Sequence, residues 1–94
     1  MTKGTYVVAT TALRPWTVVA GTVVSDTAAG LTLRDARMIV HWSAEAHGLF
    51  GVAARGPGAG RVSPRVDLWV GRVIEQTIQC TPEARAAIEA EPWR

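Results

Sequence analysis

Residues 31–42 read Leu-Thr-Leu-Arg-Asp-Ala-Arg-Met-Ile-Val-His-Trp and contain two apolar alternations that are out of phase with each other. Leu31 and Leu33 alternate with Thr32 and Arg34, the period of a half-buried strand, while Met38, Val40 and Trp42 alternate again on even numbers. Successive side chains of a strand point to opposite faces, so a chain that keeps both sets on one face must bulge or turn around Asp35 and Ala36. Without a phase shift, Arg37, Ile39 and His41 share the face of Leu33, and Trp42 falls on the other. Either way this is the central β-segment, and Arg37 and Trp42 sit on a rigid scaffold.

The flanking segments make sense as packing around it. Residues 6–10 are a short β-branched run and read as an edge strand. Arg14 and Pro15 break the chain. Residues 16–25 form a strand with a bend or bulge at Gly21, and residues 26–30 form a hairpin loop, so this strand pairs antiparallel with the central one. After Trp42 the period changes: Ser43 can cap a helix in which Leu49, Val52 and Ala53 recur at helical spacing, with Gly56 just past its end. Gly48 and Gly51 weaken that helix by about 1 kcal/mol each relative to Ala. Residues 56–60 (Gly-Pro-Gly-Ala-Gly) read as a flexible loop, and residues 66–80 as one long strand bent at Gly71, with Ile74, Ile78 and Cys80 on one face. Thr81, Pro82 and Glu83 open a C-terminal helix whose stripe is Ala84, Ala87 and Ile88. Pro92 stops it, and Trp93 folds back onto the sheet.

The expected architecture is α+β: a single domain over residues 1–94, built as a small, mostly antiparallel β-sheet or partial barrel with one short inserted helix and one C-terminal helix. A chain of 94 residues supports one small core. The formal charge of +2 is too small to announce a nucleic-acid binder. Lys3 is the sole lysine among ten basic residues. Arginine forks pair bidentately with carboxylates and phosphates, although a GC-rich genome produces the same composition. Cys80 closes an apolar alternation and reads as a buried, inert thiol. With two histidines and one cysteine the chain offers no zinc spacing, and neither a metal nor a cofactor is expected. No signal-peptide run or apolar stretch of about 18 residues is present, so no membrane contact is expected.

Residues 33–42 resemble the "DAR-x-I-x-x-W" centre of a group of short, functionally uncharacterised phage and prophage proteins. Val18-Val19-Ala20-Gly21 is similar to that group's "V-x-A-G" strand. Leu49, Val52, Ala53 and Gly56 resemble its "L-x-x-L-A-x-x-G" helix, and Val73-Ile74-Glu75 with Cys80-Thr81 its "V-I-E … C-T" ending. Pro92-Trp93 fits a terminal Trp. The chain departs from the pattern at Val40 and His41, where the group tends to be aromatic, and in its glycine-rich loop. The resemblance implies a viral origin without known enzymatic chemistry, and a place in the host cytoplasm or the virion.

Catalytic readings are weak. Ser43, His41 and Asp35 are a nucleophile, a base and an orienter by type, yet all lie within one strand and its exit. The glycine loop lacks phosphate-loop spacing and a following Lys-Ser/Thr. Binding readings are stronger, and no enzyme is expected. Arg55, Arg61, Arg65 and Arg72 bracket the glycine loop with Asp67 the single acid among them, and four tryptophans are more than one small core easily buries. Arg37, Trp42, Arg55, Arg61, Arg65, Trp69 and Arg72 are therefore the candidate ligand-binding set, arginine on phosphate and indole on base. The same residues also read as packing and solvated surface. The leading expectation is a homo-oligomer that sequesters a nucleotide-type or other small anionic signal at subunit junctions, as phage anti-defence "sponge" proteins do. The alternatives are a virion or assembly component that docks a phage or host protein, and a nucleic-acid binder.

Overall fold

The structure, a computed structural model, describes residues 2–12 and 17–92, and for Glu45 the backbone alone. Strands β2 (Val18–Thr27) and β3 (Gly30–His41) form a long antiparallel hairpin. Its turn is tighter than the expected five-residue loop, because Thr27 pairs with Gly30 and only Ala28 and Ala29 lie between them.

The bulge lies where the two alternations require it. Ala20 pairs with Arg37 and Thr22 with Arg34, so Gly21 alone faces both Asp35 and Ala36. Asp35 absorbs the extra residue in the left-handed region, φ 50°. Gly21 lets the bulge pack down, since a Cβ there would lie 3.0 Å from the Arg34 carbonyl oxygen and from the Leu33 Cβ. Leu31, Leu33 and Ala36 thus share one buried cluster, and Met38 borders Ala36 beyond them. Arg37 and Ile39 turn to the opposite face.

Strand β1 (Tyr6–Thr11) is an inner strand and not the expected edge: it pairs with β2 on one side and β6 (Ile74–Gln79) on the other. Its apolar run without alternation is the pattern of a strand buried on both faces. Tyr6 and Val8 pack on one face and Val7 and Ala9 on the other. The long strand expected over 66–80 is two strands. β5 (Val66–Gly71) pairs with the first half of β3, and β6 crosses to the far side of the sheet. The two-residue strand β4 (Arg61–Val62) pairs with the end of β3.

This order puts β5 and β6 at opposite edges, yet only Arg72 and Val73 connect them. Three Cα steps span at most about 11 Å, so the two edges must meet at that end and the sheet must curl. The result is an open antiparallel sheet in partial-barrel form. Val7, Ala9, Val19, Val23, Leu31, Leu33 and Ala36 fill the inside of the curl, with Trp69 and Ile74 against them.

The other face is covered by helices. A 3₁₀ turn (Ala44–Ala46) leads through the left-handed pair His47 and Gly48 into α1 (Gly48–Arg55), and α2 (Pro82–Ala90) lies beside it. Ser43 precedes the 3₁₀ turn without making the expected side-chain cap. Thr81 does cap α2: its hydroxyl accepts from the Ala84 amide at 3.0 Å and donates to the Ala54 carbonyl at 2.6 Å, tying α2 to the end of α1. Val52, Ala53, Ala84 and Ile88 meet Tyr6, Val8, Ala20 and Ile39 beneath them. Trp42 is half-buried against this cluster; Trp16 and Trp93 lie outside the described residues.

The glycine loop is a packed joint and not the expected flexible segment. Gly56, Pro57 and Gly60 are buried, and a Cβ on Gly60 would lie 2.2 Å from the His41 carbonyl oxygen. Gly51 is constrained in the same way: a Cβ there would come within 1.3 Å of the Ala46 carbonyl oxygen. Helix propensity favours Gly51→Ala by about 1 kcal/mol, whereas the collision with fixed backbone costs more. Urea unfolding of Gly51→Ala is expected to show a net loss of at least about 2 kcal/mol; a gain would place the 3₁₀ turn elsewhere.

Candidate functional site

Arg37 was the candidate ligand contact closest to the centre of the fold, and the structure gives its guanidinium to the protein itself. The bulge turns it under α2, where it is 3% exposed. Its Nε donates to the Ser63 carbonyl at 2.8 Å, and its Nη1 donates to the carbonyls of Ile88 at 2.8 Å and Glu89 at 3.3 Å. A helix leaves its last carbonyls unpaired and carries partial negative charge at that end, so a cation there satisfies both. Arg65 donates to the same Glu89 carbonyl. Burial first, and then the Arg65 guanidinium, pull the Arg37 pKa below its ordinary value.

The remaining arginines do not converge. Arg61 stands opposite His41 at one end of β3, while Arg72 lies against Gly30 at the other end of this twelve-residue strand. Arg55 ends α1 and is exposed. The expected cluster around the glycine loop is therefore divided between the helix end and the two ends of the central strand. Trp69 is half-buried inside the curl, where its ring packs over Gly71 and beside Ile74, on a different face from Trp42. Asp35 occupies the bulge, His41 is exposed, and the Ser43 hydroxyl is buried near Gly58 without a hydrogen-bond partner among the described residues.

What the fold does gather is apolar surface. Met38 is 41% exposed, Val40 57%, Val66 50%, Leu68 61% and Val70 58%. Met38 and Val66 border one recess with Val19, Ala36, Ser63 and Trp69; Met38 and Val40 border an adjoining open depression with Val18 and Trp42. The first recess holds about 140 Å³, under half the smallest volumes of ligand pockets, roughly 300 Å³. On β5, Leu68 and Val70 stand beside Arg34 and Thr32 of β3 and share their outward face. The sequence signal for this surface is the alternation Val66-Asp67-Leu68-Trp69-Val70, which marks a strand in its own right once the break at Gly71 is read as a turn.

Among the described residues no group of three or more His, Cys, Asp or Glu is placed to hold a metal ion, and no helix is long and apolar enough to cross a membrane. A family model, Domain of unknown function (DUF6948), matches residues 4–88. The chain belongs to this family. The match spans the sheet and nearly all of α2, so the helix that Arg37 holds is part of the family's domain. Comparison with curated proteins and with solved structures gives no match.

Two buried groups complete the region beneath α2. Burial pushes the Cys80 thiol from 9.0 up to about 12. It also raises the Tyr6 phenol well above its usual range, helped by Glu89, while Arg85 sits 5.1 Å over the ring. The Tyr6 hydroxyl has no hydrogen-bond partner among the described residues. Both groups are held neutral by folding, so their contribution is complete below the unfolded values and is lost as pH rises. Urea midpoints are expected to hold steady to about pH 8 and to fall from about pH 9 upward, with Cys80 unreactive to a thiol reagent until the chain unfolds.

Arg37→Lys is expected to lower unfolding free energy by about 2–3 kcal/mol despite keeping the charge, because one ammonium does not span Ser63 and the end of α2. Arg55→Ala, on exposed surface, is expected to stay within about 0.5 kcal/mol in the same urea titration.

Proposed function

We propose that the chain is a non-enzymatic interaction protein, phage-encoded as its motif resemblance implies, that docks protein partners through the edge formed by β5 and the adjoining surface of β3. The observation that carries this reading is the row of exposed apolar side chains Val66, Leu68 and Val70 on the outer strand β5, with Met38 beside Val66 at one end of the row. Exposed apolar surface of this kind marks association sites, because covering it removes apolar area from water. A strand edge adds directional main-chain donors and acceptors to that apolar contribution.

Sequestration of a nucleotide has less support. It requires arginine forks gathered on one ligand, whereas Arg37 is engaged by carbonyls and Arg61 and Arg72 lie at opposite ends of β3. Nucleic-acid binding is disfavoured for the same reason, since a phosphate backbone is tracked by a continuous basic face.

Thermal melting separates these readings. Cyclic and linear nucleotides at about 1 mM are expected to leave the melting temperature unchanged. A tagged chain expressed during phage growth is expected to recover with phage particles or their assembly intermediates, and to lose that association as Leu68→Lys/Val70→Lys with its melting temperature retained. A nucleotide-induced shift of several degrees, or undiminished recovery of the double variant, would count against the docking edge.

A further inference from the structure

We infer that the partner accommodated at this edge is a second copy of the chain, its β5 running antiparallel to the first about a two-fold axis through Leu68. The inference rests on reading this edge as the docking surface. Three features of the strand point to a copy of itself.

The first is that the outer side of β5 is open and carries a single charge. Edge strands are ordinarily blunted by lysine, proline, a bulge or a cover. Val66–Gly71 contains neither lysine nor proline, Asp67 is its one charged residue and alternates away from the Val66, Leu68 and Val70 row, its register against β3 is continuous from Val66 to Gly71, and among the described residues no strand pairs with its outer side. β6 leaves the turn at Val73 to follow β1, and among the described residues it forms no ladder with β5.

The second is that the sequence of β5 is self-complementary in one register. With Leu68 on the axis, Leu68 meets its own copy and Val66 meets Val70 on the same face, so every half-exposed apolar side chain of the strand opposes another. A shift by one residue would set Leu68 against Asp67 or Trp69, and the apolar rows would no longer coincide.

The third is charge. In the centred register Asp67 lies opposite Trp69, Arg65 opposite Gly71 and Arg72 opposite Pro64, so no like charges stand directly across from each other. A two-fold pairing of this kind closes on itself and joins two curled sheets along their edges without forming a filament.

Cysteine cross-linking reads the register directly, because the native Cys80 is buried and does not compete. Leu68→Cys is expected to form a covalent dimer on mild oxidation. Val66→Cys and Val70→Cys are expected to link to each other when mixed and not to themselves, since each is four residues out of register with its own copy, roughly 13 Å, beyond disulfide reach. Sedimentation of the unmodified 10.0 kDa chain is expected to show dimer growing with concentration between about 10 µM and about 500 µM, and Leu68→Lys to remain monomeric with an unchanged melting temperature. A wild-type chain that stays monomeric throughout, or a dimer that cross-links through Val66→Cys alone and not through Leu68→Cys, overturns the pairing. Failure of self-pairing is distinguishable from failure of the docking edge: a wild-type chain that stays monomeric and loses particle association only as the double lysine variant keeps the docking edge and removes the second copy as its occupant, whereas a double variant that keeps particle association removes the edge itself.

Discussion

One extra residue in the central strand sets the two-sided character of this domain. The left-handed turn of backbone at Asp35 moves β3 by one position, so that Leu31, Leu33 and Ala36 fill the curl while Arg37 and Ile39 reach the helices. Everything placed on the helical face inherits that register. Without the bulge, Arg37 would point into an apolar interior offering its guanidinium no acceptors, and the last carbonyls of α2 would lose their donor. The bulge also explains why Gly21 is crowded, since a Cβ there would require Leu33 and the Arg34 carbonyl to shift by a few tenths of an ångström.

Arg37 then connects parts of the chain that are distant in sequence. Its two donor nitrogens hold the segment after β4 and the end of α2, while Thr81 holds the beginning of α2 against α1. The C-terminal helix is therefore fixed at its start by Thr81, at its end by Arg37 and Arg65, and along its length by Ala84 and Ile88. The close approach of α1 to its neighbours is made by missing side chains: Gly51 against the 3₁₀ turn and Gly56 against Ala87. Such a joint has little tolerance for added volume.

Much of the fold was legible in the sequence because its strongest signals are local. The phase break in 31–42, the cap Thr81-Pro82-Glu83 and the turn before Leu31 are patterns of a few residues with one good solution. What failed depended on pairing over distance. β1 read as an edge because a short β-branched run carries no record of its neighbours, and 66–80 read as one strand because Gly71 serves equally as a bend or a turn. The glycine loop read as flexible since composition does not reveal that its neighbours approach too closely for a Cβ. The candidate site was less legible still. Arginines adjacent in sequence were assigned to one cluster, but the chain runs antiparallel along the whole of β3 from Arg61 to Gly71, which carries Arg72 to the end opposite Arg61. The apolar alternation of β5 was present throughout and lacked only the knowledge that the strand ends at Gly71.

The central position of β1 has a consequence for how the chain is made. Val7 pairs with Gln79 and Val8 with Ile78, so a strand synthesised early obtains its second neighbour only after residues 74–79 have left the ribosome. The β2–β3 hairpin, closed by two residues, is the most local pairing of the sheet and offers β1 a single ladder. Until β6 arrives, Val7, Val8 and Ala9 have one open flank, and the nascent domain carries an exposed apolar strand at its middle. Completion of the sheet is therefore a late, long-range step, and during synthesis the vulnerable surface of this protein is its eventual centre.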